Sequence, residues 1–470
     1  MEEQEIQKFK ALLIDRPEDL LGLKDQMDFF QPYTIFYNHQ FQQETYPEEV
    51  KELLRLKQVR AWDFSDKAHF LYQVTRFLYD GQYGDAFTAY DIRIRPDFSG
   101  SQTVLGKHLL QLTGSFGKDF TPLAQWIYNY VYDGTTPVNI WLEYEKEPSC
   151  QLQLRIQFFQ SGAIGDLVKE IIYSEDDLKE PILLDEFERY YLAFCLEAKG
   201  EGELKIGALH KRYSHGPFGE MTVGAQTLRD SKRQEIFAYF HPGDMKPPLN
   251  IYFSGYRPAE GFEGFVMMRR MGSPFILFSD PRLEGGSFYM GSQELEDQIV
   301  AYIDQYLDWL GFGPKEMNFS GLSMGTFGAL YYGSSYSPHA ILVGKPIVNL
   351  GDVAANLKFK RPDEFGTSLD MMQLLVGQVS REGIDLLNQR FWDRFNQADL
   401  KDTILAMAYM RDDDYDQLAY PKILEALYDH PVRIISSSRP GRHNDASAPI
   451  VEWFLTQYKE IMERDFGRIE

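Results

Sequence analysis

The sequence predicts an α/β protein built on a doubly wound, mostly parallel sheet at residues 241–470. A β-rich, sandwich-like domain at 136–240 and a mixed region at 1–135 precede it. Three observations predict this layout. From about Val138 apolar residues recur at every second position, as in antiparallel strands with one wet face. After the breaker-rich stretch His241–Pro248 the rhythm becomes strand, loop, helix, which implies parallel strands joined by crossover helices. Within that second half, Gly321-Leu322-Ser323-Met324-Gly325 stands between a short apolar run and a small-residue segment, the setting of a sharp strand-to-helix turn.

In the first region, Pro47–Leu54 and Phe120–Tyr132 have helical spacing, with aromatic-rich connections between them that suggest no fold. In the second, Val138–Tyr144, Cys150–Phe158, Tyr190–Leu196 and Leu204–Ala208 alternate as strands, the last two separated by Gly200-Glu201-Gly202. Such modules often bind carbohydrate, although alternation alone equally fits a purely structural sandwich. In the third region, strands are expected at Leu249–Phe253, Pro274–Phe278, Glu316–Phe319, Ala340–Val343, Thr403–Tyr409 and Val432–Ile435. Leu295, Ile299, Ile303, Tyr306 and Leu310 share one helical face, and Ile450–Met462 forms a closing helix. Residues 356–402 read as a helical insertion capping the carboxyl edge of the sheet.

The bulk composition narrows the function classes. A chain of 470 residues can hold two or three domains, and 44% apolar with 15% aromatic residues argues against disorder. A formal net charge of -22 repels nucleic acid and anionic membrane, so neither is an expected partner. MEEQEIQKFK carries no apolar core of a signal peptide, and no run of about 18 apolar residues suggests a spanning helix. Cys150 and Cys195 lie in alternating patterns and read as core residues of a cytoplasmic protein that needs no disulfide.

A serine hydroxyl needs a base within hydrogen-bond reach, itself oriented by an acid. A Gly-x-Ser-x-Gly pentapeptide arises by chance about 0.1–0.2 times in a chain of this length. Its context therefore decides whether Ser323 is a nucleophile or merely a loop serine or helix cap. The base is expected after the last strand, where His443 stands just before the closing helix. His339 and His430 each precede a strand, at the wrong end for a site at the carboxyl edge. The acid is expected after the preceding strand, in MRDDDYD. There Asp413 is the first choice and Asp416 the second among Asp412, Asp413, Asp414 and Asp416. The chain order Ser, Asp, His is that of α/β-hydrolases. An oxyanion hole needs two donors: the Met324 amide supplies one by position, and Gly255 or Tyr256 the other. Arg257, beside them, reads more readily as an ion-pair partner than as a catalytic group. No His-Glu-x-x-His, Cys-x-x-Cys, EF-hand loop or Walker A loop is present, so no metal or bound cofactor is expected.

FSGYRPAEGFEGF, FSDPRLEGGSFYMGS, NFSGLSMGTFGALYYG, AYMRDDDYD and SRPGRHND together resemble the second accessory Sec secretion protein family, most densely over residues 249–470. The resemblance implies an α/β-hydrolase-like cytoplasmic O-acetyltransferase. Its substrate would be N-acetylglucosamine on a glycosylated serine-rich-repeat adhesin. It also implies two sister accessory Sec proteins and the accessory SecA motor as partners, and a position peripheral at the translocon. The family's triad maps onto Ser323, Asp413 and His443, although members can carry glutamate in place of the aspartate. An acetyl donor is then required, but no coenzyme A loop stands out to identify it. A carbohydrate or lipid serine esterase, and a non-catalytic export scaffold, are the alternative readings.

Overall fold

The computed structural model describes residues 11–162, 165–283, 286–360 and 368–468. The first ten residues, 284–285 of the FSDPRLEGGSFYMGS segment and 361–367 of the expected insertion lie outside the described residues.

The N-terminal region, whose fold the sequence did not suggest, is a small α/β unit. Leu12–Ile14, Ile35–Asn38 and Arg60–Trp62 form a three-stranded parallel sheet. The helix expected at Pro47–Leu54 spans Glu48–Leu56, with Glu48 and Glu49 in the first turn where the helix dipole favours negative charge. Phe36 is fully buried against Trp62, Phe70 and Phe218, so the unit packs onto the rest of the chain through aromatic rings.

Two expectations for the β-rich region are corrected. Phe120–Tyr132 is not a helix but falls in strands Leu109–Trp126 and Tyr130–Tyr132. Phe120, Leu123, Ala124 and Ile127 happen to have helical spacing. Pairing with Tyr190–Tyr213 satisfies this backbone as a strand instead. The sandwich-like region expected from 136 begins as early as Gly84–Phe87, and its ten strands are hydrogen-bonded as one continuous antiparallel sheet. Its spine is the 24-residue strand Tyr190–Tyr213, which pairs with Cys150–Gln160 through its first half and Val138–Lys146 through its second. Gly200 (φ 93°) and Gly202 (φ 128°) therefore mark a break inside a strand, where the register with Leu109–Trp126 shifts, rather than a turn between two strands. Leu112, Leu142, Leu154, Phe158 and Leu192 join in one core. Cys150 and Cys195 are both free thiols.

The C-terminal half is an eight-stranded sheet. Its strands are β1 (Gln226–Arg229), β2 (Glu235–His241), β3 (Leu249–Phe253), β4 (Phe275–Ser279), β5 (Met317–Leu322), β6 (Ala340–Gly344), β7 (Ile404–Met410) and β8 (Arg433–Arg439). Their spatial order is β1-β2-β4-β3-β5-β6-β7-β8; β2 is antiparallel to its neighbours and the pairs from β4 to β8 are parallel. The boundary expected at 241 thus moves upstream, because β1 and β2 already belong to this sheet. Successive residues of one strand feed opposite faces: Ile251 and Phe253 pack in one core, Tyr252 in the other. Helices α1 (Phe265–Arg270), α2 (Gln293–Leu310) and α3 (Gly325–Gly333) follow β3, β4 and β5. Between β6 and β7 lie α4 (Leu350–Lys360), α5 (Ser368–Val376) and α6 (Arg381–Phe395), so the helical insertion starts at Leu350 rather than 356. Helices α7 (Ala419–Ala426) and α8 (Ser447–Phe466) complete the layers. Among the described residues no helix is long and apolar enough to cross a membrane.

Candidate active site

Ser323 follows β5 directly and is held at φ 52°, a left-handed conformation that costs a non-glycine residue energy. The two flanking glycines make that turn sterically possible. A Cβ on Gly321 would lie 2.2 Å from the Gly325 carbonyl oxygen, and one on Gly325 would lie 2.0 Å from that of Phe253. The Ser323 amide donates to the Gly344 carbonyl at 2.8 Å, and its own carbonyl accepts from Thr326 Oγ1 at 2.6 Å. The hydroxyl is thereby raised on a fixed backbone at the carboxyl edge of the sheet.

His443, in the loop between β8 and α8, meets it there. Ser323 Oγ lies 2.8 Å from His443 Nε2, and His443 Nδ1 lies 2.9 Å from Asp413 Oδ2 and 3.1 Å from Oδ1. A proton on Nδ1 donated to the carboxylate leaves Nε2 as acceptor for the serine hydroxyl. Histidine and aspartate are both buried, and the Tyr415 ring lies 4.3 Å from the imidazole, centroid to centroid. Burial alone would raise the Asp413 pKa. The hydrogen bond and charge of His443, with amide donors from Tyr415 and Asp416, outweigh it and hold the carboxyl below its ordinary value.

The four aspartates of the β7–α7 turn divide their roles. Asp413 reaches the imidazole. Asp414 Oδ1 accepts from the His443 amide at 3.1 Å and Asp412 Oδ2 from the Gly441 amide at 3.3 Å, so both pin the loop that carries the histidine. Asp416, the second choice from sequence, turns away: it accepts from the Val348 and Asn349 amides and the Asn349 side chain. It anchors the start of the insertion and does not touch the imidazole.

The expected oxyanion donors separate in the same way. The Gly255 amide donates to Glu263 Oε2 at 2.7 Å, so it is occupied and the Gly255 alternative is corrected. Tyr256 and Met324 remain, and among the described residues neither amide has an acceptor. Both line one cleft of about 470 Å³, and a Cβ on Gly255 would lie 3.1 Å from the Leu322 carbonyl, so the loop lies against the end of β5. Arg257 donates to the Phe262 carbonyl, an anchoring contact within the loop.

The comparisons with known proteins decide the family. Residues 1–468 match the family described as the accessory Sec system GspB-transporter. An accessory Sec system protein of Streptococcus gordonii is 43% identical over 471 residues, covering 100% of this chain and 91% of the relative. One from Staphylococcus aureus is 45% identical over 394 residues, 83% of this chain and 75% of the relative. The chain belongs to the accessory Sec system GspB-transporter family. A solved structure similar to it is the glycosylation-associated protein (Gap123) complex of Streptococcus agalactiae, with TM-score 0.93 and 38% identity, covering 98% of this chain and 89% of the matched one.

In this member of the accessory Sec family the sequence reading missed the residues that fasten the loop carrying Gly255 and Tyr256. Glu263, inside the FSGYRPAEGFEGF segment, holds the Gly255 amide and the Tyr252 hydroxyl. Gln82 brackets Phe262, accepting from its amide at 2.7 Å and donating to its carbonyl at 2.8 Å. Glu260 is fully engaged by the β-rich sheet: Arg212 donates to it, and His210 Nδ1 lies 2.7 Å from its Oε1. His210 Nε2 reaches Glu143 at 3.2 Å, and Arg212 also grips Glu235. Burial opposes a charge on His210, but the flanking carboxylates win and raise its pKa to about 9. The three consecutive basic residues of ALHKRY, His210 to Arg212, were the sequence signal for this lattice. On a strand they suggest a wet face, not a buried one.

Proposed function

We propose that this chain is a serine-dependent O-acetyltransferase that modifies N-acetylglucosamine on a serine-rich-repeat glycoprotein and works within the accessory Sec export assembly. The observation that carries the chemistry is the hydrogen-bonded chain Ser323–His443–Asp413, each step within about 2.6–3.2 Å, the reach expected of a nucleophile, base and orienting acid. The strand order and the placement of each group after its strand are those of an α/β-hydrolase. Family membership supports the export role. The Gap123 assembly of the similar structure supports sister accessory Sec proteins as partners, and the accessory SecA motor and the adhesin follow as partners from the same reading.

The reaction proceeds in two halves. Ser323 Oγ attacks the carbonyl carbon of an acetyl ester or thioester while His443 Nε2 takes the hydroxyl proton. The oxyanion sits on the Met324 and Tyr256 amides. When the tetrahedral centre collapses, the leaving group takes the proton from His443 and the acetyl group stays on the serine. A sugar hydroxyl then attacks, passes its proton to His443, and departs as the acetyl ester as Ser323 recovers that proton. Asp413 stays ionised throughout and stabilises the transient imidazolium.

Ser323→Ala in the producing cell tests the assignment. The expected result is an adhesin that is still exported but has lost its acetyl groups, read as a fall in glycopeptide mass. Unchanged acetylation would end the catalytic reading and leave the export scaffold.

A further inference from the structure

The cleft lined by Tyr256 and Met324 is also lined by the β-rich region, through Asp85 and Ala86 of its strand Gly84–Phe87 and Thr88, Tyr90 and Asp91 of the turn that follows. We infer that this interdomain cleft is the acceptor site, and that it binds a neutral, hydroxyl-rich sugar chain between the rings of Tyr90 and Tyr256. The inference rests on the acetyltransfer reading above and adds where the acceptor lies and what recognises it.

Four observations carry it. First, position: the cleft is lined by Tyr256 and by Met324, the residue next to Ser323, so a ligand held in it lies beside the candidate nucleophile. Second, surface: Tyr90 and Tyr256 are 58% and 55% exposed although both line a concave site. An exposed ring in a cleft offers the apolar face on which a pyranose stacks, with its hydroxyl free for hydrogen bonding. Third, charge: the buried cations around the cleft are already committed to carboxylates. Lys211 is bound by Asp85, Arg282 by Asp280, and His210 and Arg212 by Glu260 together with Glu143 and Glu235. Lys107 and Arg257 also line the cleft, but so do Asp85, Asp91, Glu143, Glu260 and Asp280, so positive charge is not in surplus there; with -22 on the chain as a whole, a polyphosphate such as coenzyme A is disfavoured and a neutral polyol is accepted. Fourth, rigidity: Glu260, whose amide also donates to the Gly84 carbonyl at 2.8 Å, ties the two walls together. The spacing between the rings is therefore set before the ligand arrives.

The test uses the full chain, p-nitrophenyl acetate as donor and chitotriose as acceptor, and reads the partition of the acetyl-enzyme between sugar and water. Tyr90→Ala is expected to lower the transfer-to-hydrolysis ratio at least fivefold and to raise the acceptor KM. Tyr90→Phe, which keeps the ring, should restore both. Saturation-transfer NMR on Ser323→Ala should show chitotriose, but not coenzyme A, receiving magnetisation, with the chitotriose signal weakened by Tyr90→Ala. An unaltered ratio in Tyr90→Ala, or a saturation-transfer signal for coenzyme A that Tyr90→Ala abolishes, overturns the acceptor site while leaving the triad standing. Ester hydrolysis that persists in Ser323→Ala instead overturns the catalytic reading itself. Should Tyr90→Ala not fold, the chitotriose signal in Ser323→Ala, present or absent, decides the matter.

Discussion

The strained turn at Ser323 gives residue-scale predictions a steric basis. Replacing Gly325 by alanine forces a methyl against the Phe253 carbonyl, where its Cβ would lie 2.0 Å away. The expected cost is about 1–3 kcal/mol or more, seen as a lower midpoint in urea unfolding. Asp413→Asn preserves the shape of the site but offers an amide where the imidazole needs an acceptor. Ester turnover should fall on the order of 10³–10⁴-fold, with a smaller change in KM. Asp413 also predicts a pH dependence of stability. Its folded pKa lies below the ordinary value, so its contribution is present above about pH 4 and is lost as pH falls through the folded pKa. Acid unfolding of Asp413→Asn, compared with the parent chain, should lack that component. At this scale the grouping of Ser323, His443 and Asp413 was legible in the sequence, because each sits at a loop position fixed by strand order. The choice between Gly255 and Tyr256 was not. It depends on Glu263 folding back over eight residues to take the Gly255 amide, a contact that no local pattern encodes.

Elements differed in how plainly the sequence announced them, for reasons that lie in their partners. The parallel strands β3 to β7 are short runs buried on both faces, and such runs stand out between helical segments. The 24-residue strand Tyr190–Tyr213 was split in two by its glycines, and only pairing with distant strands shows that the chain continues through the break. Phe120–Tyr132 was misread for the same reason, since long-range pairing overrode its local spacing. The later part of that long strand also carries His210 and Arg212, whose grip on Glu260 predicts two measurable effects. Arg212→Met leaves Glu235 and Glu260 buried with less compensation and should destabilise the protein by about 3–5 kcal/mol in denaturant titrations. His210 faces Glu143, Glu260 and Arg212, and its folded pKa is raised to about 9. Its contribution is therefore full below about pH 6.5 and is lost as pH rises through about 9. Hydrogen exchange should report this as loosening of residues 254–263 at alkaline pH, an effect absent from His210→Gln.

Across the whole molecule, the three regions are joined through buried contacts and not merely tethered. The Tyr33 hydroxyl of the N-terminal unit donates to the Phe240 carbonyl on β2 at 2.7 Å, and Gln82 and Arg212 hold the loop carrying Gly255 and Tyr256 from outside its own sheet. The β-rich region thus fixes the loop of the candidate active site, and the buried charges of its strand, His210 and Arg212, make that contact. Calorimetry should accordingly show one cooperative transition for the full chain, not a sequence of domain unfoldings. The central claim is that Ser323 carries the acetyl group, and trapping the acyl-enzyme tests it most directly. The chain is mixed with an activated acetyl ester, quenched in acid, digested and sequenced by mass spectrometry. One acetyl group is expected on the Ser323 peptide of the parent chain and none there in His443→Ala. Acetyl transfer to sugar that proceeds with Ser323 unmodified, or that survives Ser323→Ala, would contradict it.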